Sequence, residues 1–180
     1  MKKYTILKGL HYSNHWVKPI LFPSRMEFDF ILTDKSAYRP SKHRDEASVK
    51  QLKYQVNKIG GMTLDFIGKN SVRLGYRYNW EKDTFEVLPY YHLNGRRVWH
   101  DEKATAIDKG FKYTCVIKKT DGQVHIKVFR KDLPAKLVIS DRVWFPIEKS
   151  FIGFRQYPYF GGSGIGSKAP NNIQILIDFK

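Results

Sequence analysis

Apolar and polar residues alternate with a period of two along most of the chain. Met26, Phe28, Phe30 and Leu32 share one face of their segment. Val72, Leu74, Tyr76 and Tyr78 alternate with Ser71, Arg73, Gly75, Arg77 and Asn79. Phe85, Val87 and Tyr91 alternate with Glu86, Leu88, Tyr90 and His92, and the same rhythm runs through Phe111 to Ile117, Val124 to Val128 and Ile173 to Phe179. Such a pattern predicts strands with one buried face. Asn94-Gly95 and Asp121-Gly122 stand between alternating runs, and both dipeptides supply the positive φ angles of a tight hairpin. No segment keeps a 3.6-residue apolar period over the ~11 residues of an average helix. Residues 45–52 are the best helical candidate, although 49–56 read equally well as a strand. Residues 33–48 and the glycine-rich 157–172 have no period and read as loops. Many short strands joined by hairpins predict an all-β fold, a β-sandwich or a barrel, forming one domain over residues 1–180.

Composition narrows this picture. An aromatic content of 15% rules out intrinsic disorder, because disordered chains lack large side chains to bury. The apolar runs fall far short of the ~18 residues that span a bilayer. The start of the chain has two lysines, but Lys8 breaks the apolar stretch that follows and no small-residue cleavage site comes after it. No secretion signal is therefore expected, which points to a cytoplasmic location. The lone Cys115 excludes a disulfide framework and a zinc site built on paired cysteines, and its phase places it in the core. A net charge of +15 attracts polyanions: nucleic acid, an acidic polysaccharide, a phosphorylated surface or an acidic protein.

Several stretches resemble motifs of a family of small, largely uncharacterised proteins of bacteria and their phages. They are Asn57-Lys58-Ile59-Gly60-Gly61, then Gly75-Tyr76-Arg77-Tyr78-Asn79, and finally Tyr157-Pro158-Tyr159-Phe160-Gly161-Gly162 followed by Ala169-Pro170. The resemblance runs in order over most of the chain. It implies a two-sheet antiparallel β-sandwich, a concanavalin-like jelly roll, with no established activity, and it adds a phage-particle location as the alternative to the cytoplasm. Where such proteins often carry His-Asp after Ala-Pro, this chain has Asn171 and Asn172, which are expected to bond loop backbone instead.

If Val72, Leu74, Tyr76 and Tyr78 face the core, the outward face carries Arg73, Arg77 and Asn79 beside Glu86, Tyr90 and His92. Arg155 and Tyr157 are expected to join them. Aromatic rings stack on pyranose faces and Arg and Asn bond hydroxyls or carboxylates, so these eight residues form a candidate ligand-binding surface. An ordinary outer face with an Arg77–Glu86 cross-strand pair is the alternative. Catalysis has weaker signals. Glu27 and Asp29 lie two apart, but the third acidic residue of glucanase strands is replaced by Ile31. Gln123-Val124-His125 is similar to the Gln-x-His of alginate lyases of this fold, and Arg25-x-Glu27 to their Arg-x-Glu, yet Tyr159-Phe160-Gly161-Gly162 lacks the lysine of their tyrosine motif. The six histidines are scattered.

The sequence thus leads to these expectations: no catalytic residue, no metal, no cofactor, and a non-enzymatic recognition module for a polysaccharide or protein partner. One alternative is a virion or capsid-associated structural protein whose basic surface meets an acidic partner or packaged DNA. A second is a polysaccharide hydrolase or lyase.

Overall fold

The protein is described from a computed structural model, which covers residues 1–15, 17–40, 45–120, 122–133, 136–144, 151–162 and 167–180. Thirteen strands, numbered in chain order, form two antiparallel sheets among these residues. In the first sheet, β1 (Lys2–Ile6) pairs with β13 (Ile173–Phe179), followed by β3 (Arg25–Leu32), β9 (Tyr113–Thr120), β10 (Gln123–Arg130) and β11 (Leu137–Trp144). In the second, β2 (Lys18–Leu21) pairs with β12 (Ile152–Gln156), then β4 (Asn57–Thr63), β5 (Ser71–Asn79), β6 (Thr84–Leu93) and β7 (Arg96–Trp99). The short β8 (Thr105–Ile107) also pairs with β6. This is the all-β fold expected from the alternation, in the sandwich form that the resemblance implied.

The inward residues of both sheets meet in one apolar cluster. Phe28 and Phe30 of β3, Tyr76 and Tyr78 of β5, Phe85 and Tyr91 of β6 and Cys115 of β9 all belong to it. The β6–β7 hairpin turns at Asn94 (φ 52°) and Gly95 (φ 78°), as its dipeptide requires. Asp121 of the second hairpin lies outside the described residues, but Gly122 has the expected positive φ of 67°.

The ambiguous segment is a helix. In α1 (Glu46–Tyr54) the Asp45 carboxylate accepts hydrogen bonds from the Ser48 amide and hydroxyl, both at 2.8 Å, capping the first turn. Residues 33–48 are thus not all loop, and a 3-10 turn over Asp34–Ser36 adds to this. Asn171 and Asn172 bond backbone as expected: Asn171 Nδ2 donates to the Ala37 carbonyl, and Asn172 Oδ1 accepts from the Lys8 amide. Among the described residues no helix is long and apolar enough to cross a membrane.

One polar contact ties the two sheets together. Tyr91 of β6 donates its hydroxyl to Asp141 Oδ2 of the edge strand β11 at 2.7 Å, and His100 Nδ1 lies 3.0 Å from the same oxygen. Asp141→Ala leaves the Tyr91 hydroxyl buried without an acceptor, so it should cost about 1–3 kcal/mol in chemical denaturation. A loss under about 0.5 kcal/mol would mean that the tie is incidental.

Candidate functional site

The outer face of the second sheet divides into two polar regions with an apolar plug between them. At one end Arg77 pairs with Glu86 at 3.3 Å and Asp101 at 2.8 Å, and Asn79 Oδ1 accepts from the amides of Glu81 and Lys82 in the following turn. These three expected ligand residues are occupied structurally. In the middle, Val56, carried there by the chain leaving α1, packs with Leu88 and Ala104 over Gly75. At the other end lie Arg73, Tyr90 and His92, the expected residues that the fold does bring together.

Arg155 and Tyr157 are corrected. Gln156 pairs with Gly61, opposite outward Arg73, whereas Arg155 pairs with Met62, opposite inward Val72. Period two then turns Arg155 and Tyr157 toward the inside, although Tyr157 still lines one pocket together with Arg73. The Arg155 guanidinium lies 4.6 Å from the Phe179 ring centre, and Tyr157 packs against Tyr4 and Phe179.

The centre of the cluster is Lys58, which sequence reasoning did not select. A bulge between Lys58 and Gly60 adds one residue to β4, so Ile59 enters the core while Lys58 and Gly61 both face out. Gly61 makes room for Arg73: a Cβ there would sit 2.6 Å from Arg73 Cα and 3.0 Å from its Cγ. Lys58 is 3% exposed. Its Nζ donates to the Gly161 carbonyl at 2.8 Å and lies 4.6 Å from the Tyr90 ring centre and 5.1 Å from that of Tyr159. Gly161 adopts φ 92° and donates its amide to Asn57 Oδ1. The Gly161-Gly162 motif therefore serves a turn whose carbonyl receives the lysine. Tyr159 is held beside Lys58 by two backbone hydrogen bonds, 2.8 and 3.0 Å. Its ring meets Tyr12 edge-on at 4.9 Å and lies parallel to His11 at 5.5 Å.

The electrostatics are unusual for a strand face. Burial, with the nearby charges of Arg73 and Arg97, pushes the Lys58 amine down to about 7. Burial and the same cations, Arg73, Lys58 and Arg97, lower His92 to about 4, so its ring is neutral at pH 7. Burial raises the phenols of Tyr90 and Tyr159, which stay protonated. The charges acting on Lys58 are all positive. The cluster thus combines a proton acceptor, two proton donors and guanidinium groups suited to a carboxylate.

Neither echo of known catalytic motifs lies here. Glu27, Asp29, Gln123 and His125 are on the first sheet. Glu27 is bonded by Lys180 and Arg25, which hold its carboxyl below the ordinary range. For Asp29, burial acts upward, but hydrogen bonds from Lys131 and Thr114 outweigh it and the net shift is downward.

No family model matches the sequence, and no curated protein matches it. Solved structures do match. The chain is similar in fold to alginate lyases. The lyase Aly36B superposes with a TM-score of 0.60 at 12% identity, covering 98% of this chain and 78% of the lyase. A variant of that lyase in complex with an alginate tetrasaccharide, with a lysine and a tyrosine each replaced by alanine, gives 0.61 at 11% identity over the same shares. The alginate lyase from Klebsiella pneumoniae gives 0.57 at 12% identity, over 87% of this chain and 58% of that one. The expectation of a non-enzymatic protein does not stand against this likeness. That expectation rested on incomplete carboxylate and Gln-x-His patterns, which lie on the other sheet from the buried Lys58 and its two tyrosines. Of the family resemblance, the β-sandwich carries over.

Proposed function

We propose that the chain is a polysaccharide lyase that cleaves a uronic-acid polymer of the alginate type by β-elimination. The observation that carries this reading is Lys58, a buried amine poised near neutrality between two phenols and beside Arg73 and Arg97. Arg73 and Arg97 hold the uronate carboxylate and stabilise the negative charge that grows on it as the C5 proton leaves. The neutral Lys58 Nζ takes that proton and becomes an ammonium. One of its N–H bonds points to the Gly161 carbonyl, which fixes the direction of its lone pair. As the C4–O4 bond breaks, a C4=C5 double bond forms, and the Tyr159 hydroxyl protonates the departing O4. Tyr159 takes this role rather than Tyr90 because it is the more exposed of the two. The two alanine replacements in the lyase variant bound to alginate fall on the same pair of residue types, a lysine and a tyrosine. A glucanase-type hydrolase is a poorer fit, because it needs two carboxylates flanking the bond and Glu27 and Asp29 are neutralised by lysines on the other sheet.

The test is to incubate the purified protein with alginate and follow the ultraviolet absorbance of the new double bond. Alginate should yield absorbing products, neutral laminarin none, and Tyr159→Phe should slow the reaction about 100-fold. If alginate, pectate and polyglucuronate all remain uncut at mildly alkaline pH, the proposal fails.

A further inference from the structure

Beside Lys58 the chain closes a second space. Residues 10–13 run along the 158–160 stretch, with the Phe160 amide donating to the His11 carbonyl at 2.8 Å and the Ser13 amide to the Pro158 carbonyl at 3.3 Å. Beside this segment lies a pocket of about 120 Å³, whose wall includes Tyr12, Ser13, His15, Arg73, Gln156, Tyr157 and Tyr159. Four of these residues carry a buried polar atom with no hydrogen-bond partner in the protein: Ser13 Oγ, His15 Nδ1, Arg73 Nε and Gln156 Oε1. Native proteins satisfy nearly all such atoms, so four around one small cavity require an account.

The inventory is mixed. Arg73 Nε only donates, Gln156 Oε1 only accepts, Ser13 does both and neutral His15 offers either role according to its tautomer. Alternating donors and acceptors between tyrosine rings match a sugar, whose hydroxyls need both and whose carbon faces stack on aromatics. The volume is a few times the ~30 Å³ share of one water, the scale of one sugar ring and not of a polymer. Arg73 and Tyr159 belong to both this wall and the Lys58 cluster, so whatever fills the pocket touches whatever sits on Lys58.

We infer that this pocket is a saccharide subsite, seating the uronate residue next to the one whose bond is broken. The inference rests on the lyase reading for its substrate class, and on the unpartnered atoms for its place. It explains why polar groups that destabilise the free protein persist there: their partners arrive with the ligand.

The experiment uses Lys58→Ala as the parent, so that bound saccharide is not consumed, with dimannuronate as the probe in titration calorimetry. Gln156→Leu and Ser13→Ala, each added to the parent, should weaken binding at least about tenfold, the loss of one hydrogen bond to a charged ligand. Neutral mannobiose should bind more weakly than dimannuronate. Melting temperatures should stay level or rise, because each change removes an unsatisfied buried atom; a residue with a structural role would lower them. No measurable binding by the parent, or binding within about twofold of the parent in both variants, overturns the subsite. If Gln156→Leu does not fold, the smaller change Ser13→Ala decides alone. Failure of the lyase reading is seen separately: a wild-type protein that leaves polymer uncut but whose binding the variants weaken keeps the subsite and loses the chemistry.

Discussion

Replacing Lys58 by alanine should reduce alginate cleavage by about a thousandfold, within the range for loss of a general base. The pH profile is the sharper test. With the amine at about 7 in the free protein, its neutral fraction rises from about 10% at pH 6 to about 90% at pH 8, and kcat/KM should follow it. No fall is expected before strongly alkaline pH, because burial raises the Tyr159 phenol. A bound carboxylate stabilises the ammonium, so the break in kcat should lie at higher pH than the break in kcat/KM. Lys58→Arg should not rescue activity, since a guanidinium keeps its proton. A kcat/KM that is level between pH 6 and 8 would remove Lys58 from the role of base.

The same lysine should be a liability for the fold. Lys58→Met is expected to stabilise the protein at pH 6 by roughly 3–4 kcal/mol. A drop from 10.5 to about 7 corresponds to a cost of about 5 kcal/mol for charging the buried amine. The lost hydrogen bond to the Gly161 carbonyl returns about 1–2 kcal/mol of that. The direction with pH follows from proton counting. Below about 7 the amine is charged in both states and the full cost is present. Between about 7 and 10.5 the unfolded chain binds more protons than the folded one, so wild-type stability rises with pH and the cost fades. The advantage of Lys58→Met should therefore shrink toward zero or reverse by pH 10. Denaturant titrations of both proteins at pH 6 and pH 10 read this directly. An equal difference at the two pH values would show that burial does not penalise the charge.

The fold was legible because alternation carries it. The residues of β5 and β6 interleave without interruption, so the phase of Val72 and Leu74 alone predicts that Arg73, Tyr90 and His92 share a face, as they do. What escaped depends on departures from the regular ladder or on contacts distant in sequence. Strict alternation back from Met62 would turn Lys58 inward, and only the bulge turns it out. Tyr159 comes from the segment past the end of β12, joined to β4 by an isolated bridge that leaves no periodic trace. Arg155 and Tyr157 were assigned the wrong phase because β12 is short and lacks apolar alternation to fix it. Tyr90 lies on the outward face as expected but is closed off from solvent, for a non-local reason. Lys58 and its neighbours cover it to 3% exposure, so Tyr90→Ala would remove a packed ring. An amine base carries no spacing signature comparable to paired carboxylates, and this is why a search by motif passed over it.

The bulge in β4 also bears on how such a protein gains or loses its chemistry. Were β4 to pair as an even ladder running back from Met62 with no residue lost, Lys58 would turn into the sandwich and Ile59 into solvent. Deleting Ile59 instead evens the ladder and leaves Lys58 outward opposite Gly75, but takes one buried side chain from the core. A slip in pairing, with no side chain substituted, thus separates a sandwich with an amine on its outer face from one without, so in this scaffold the register of one strand determines reactivity as much as the identity of any residue in it.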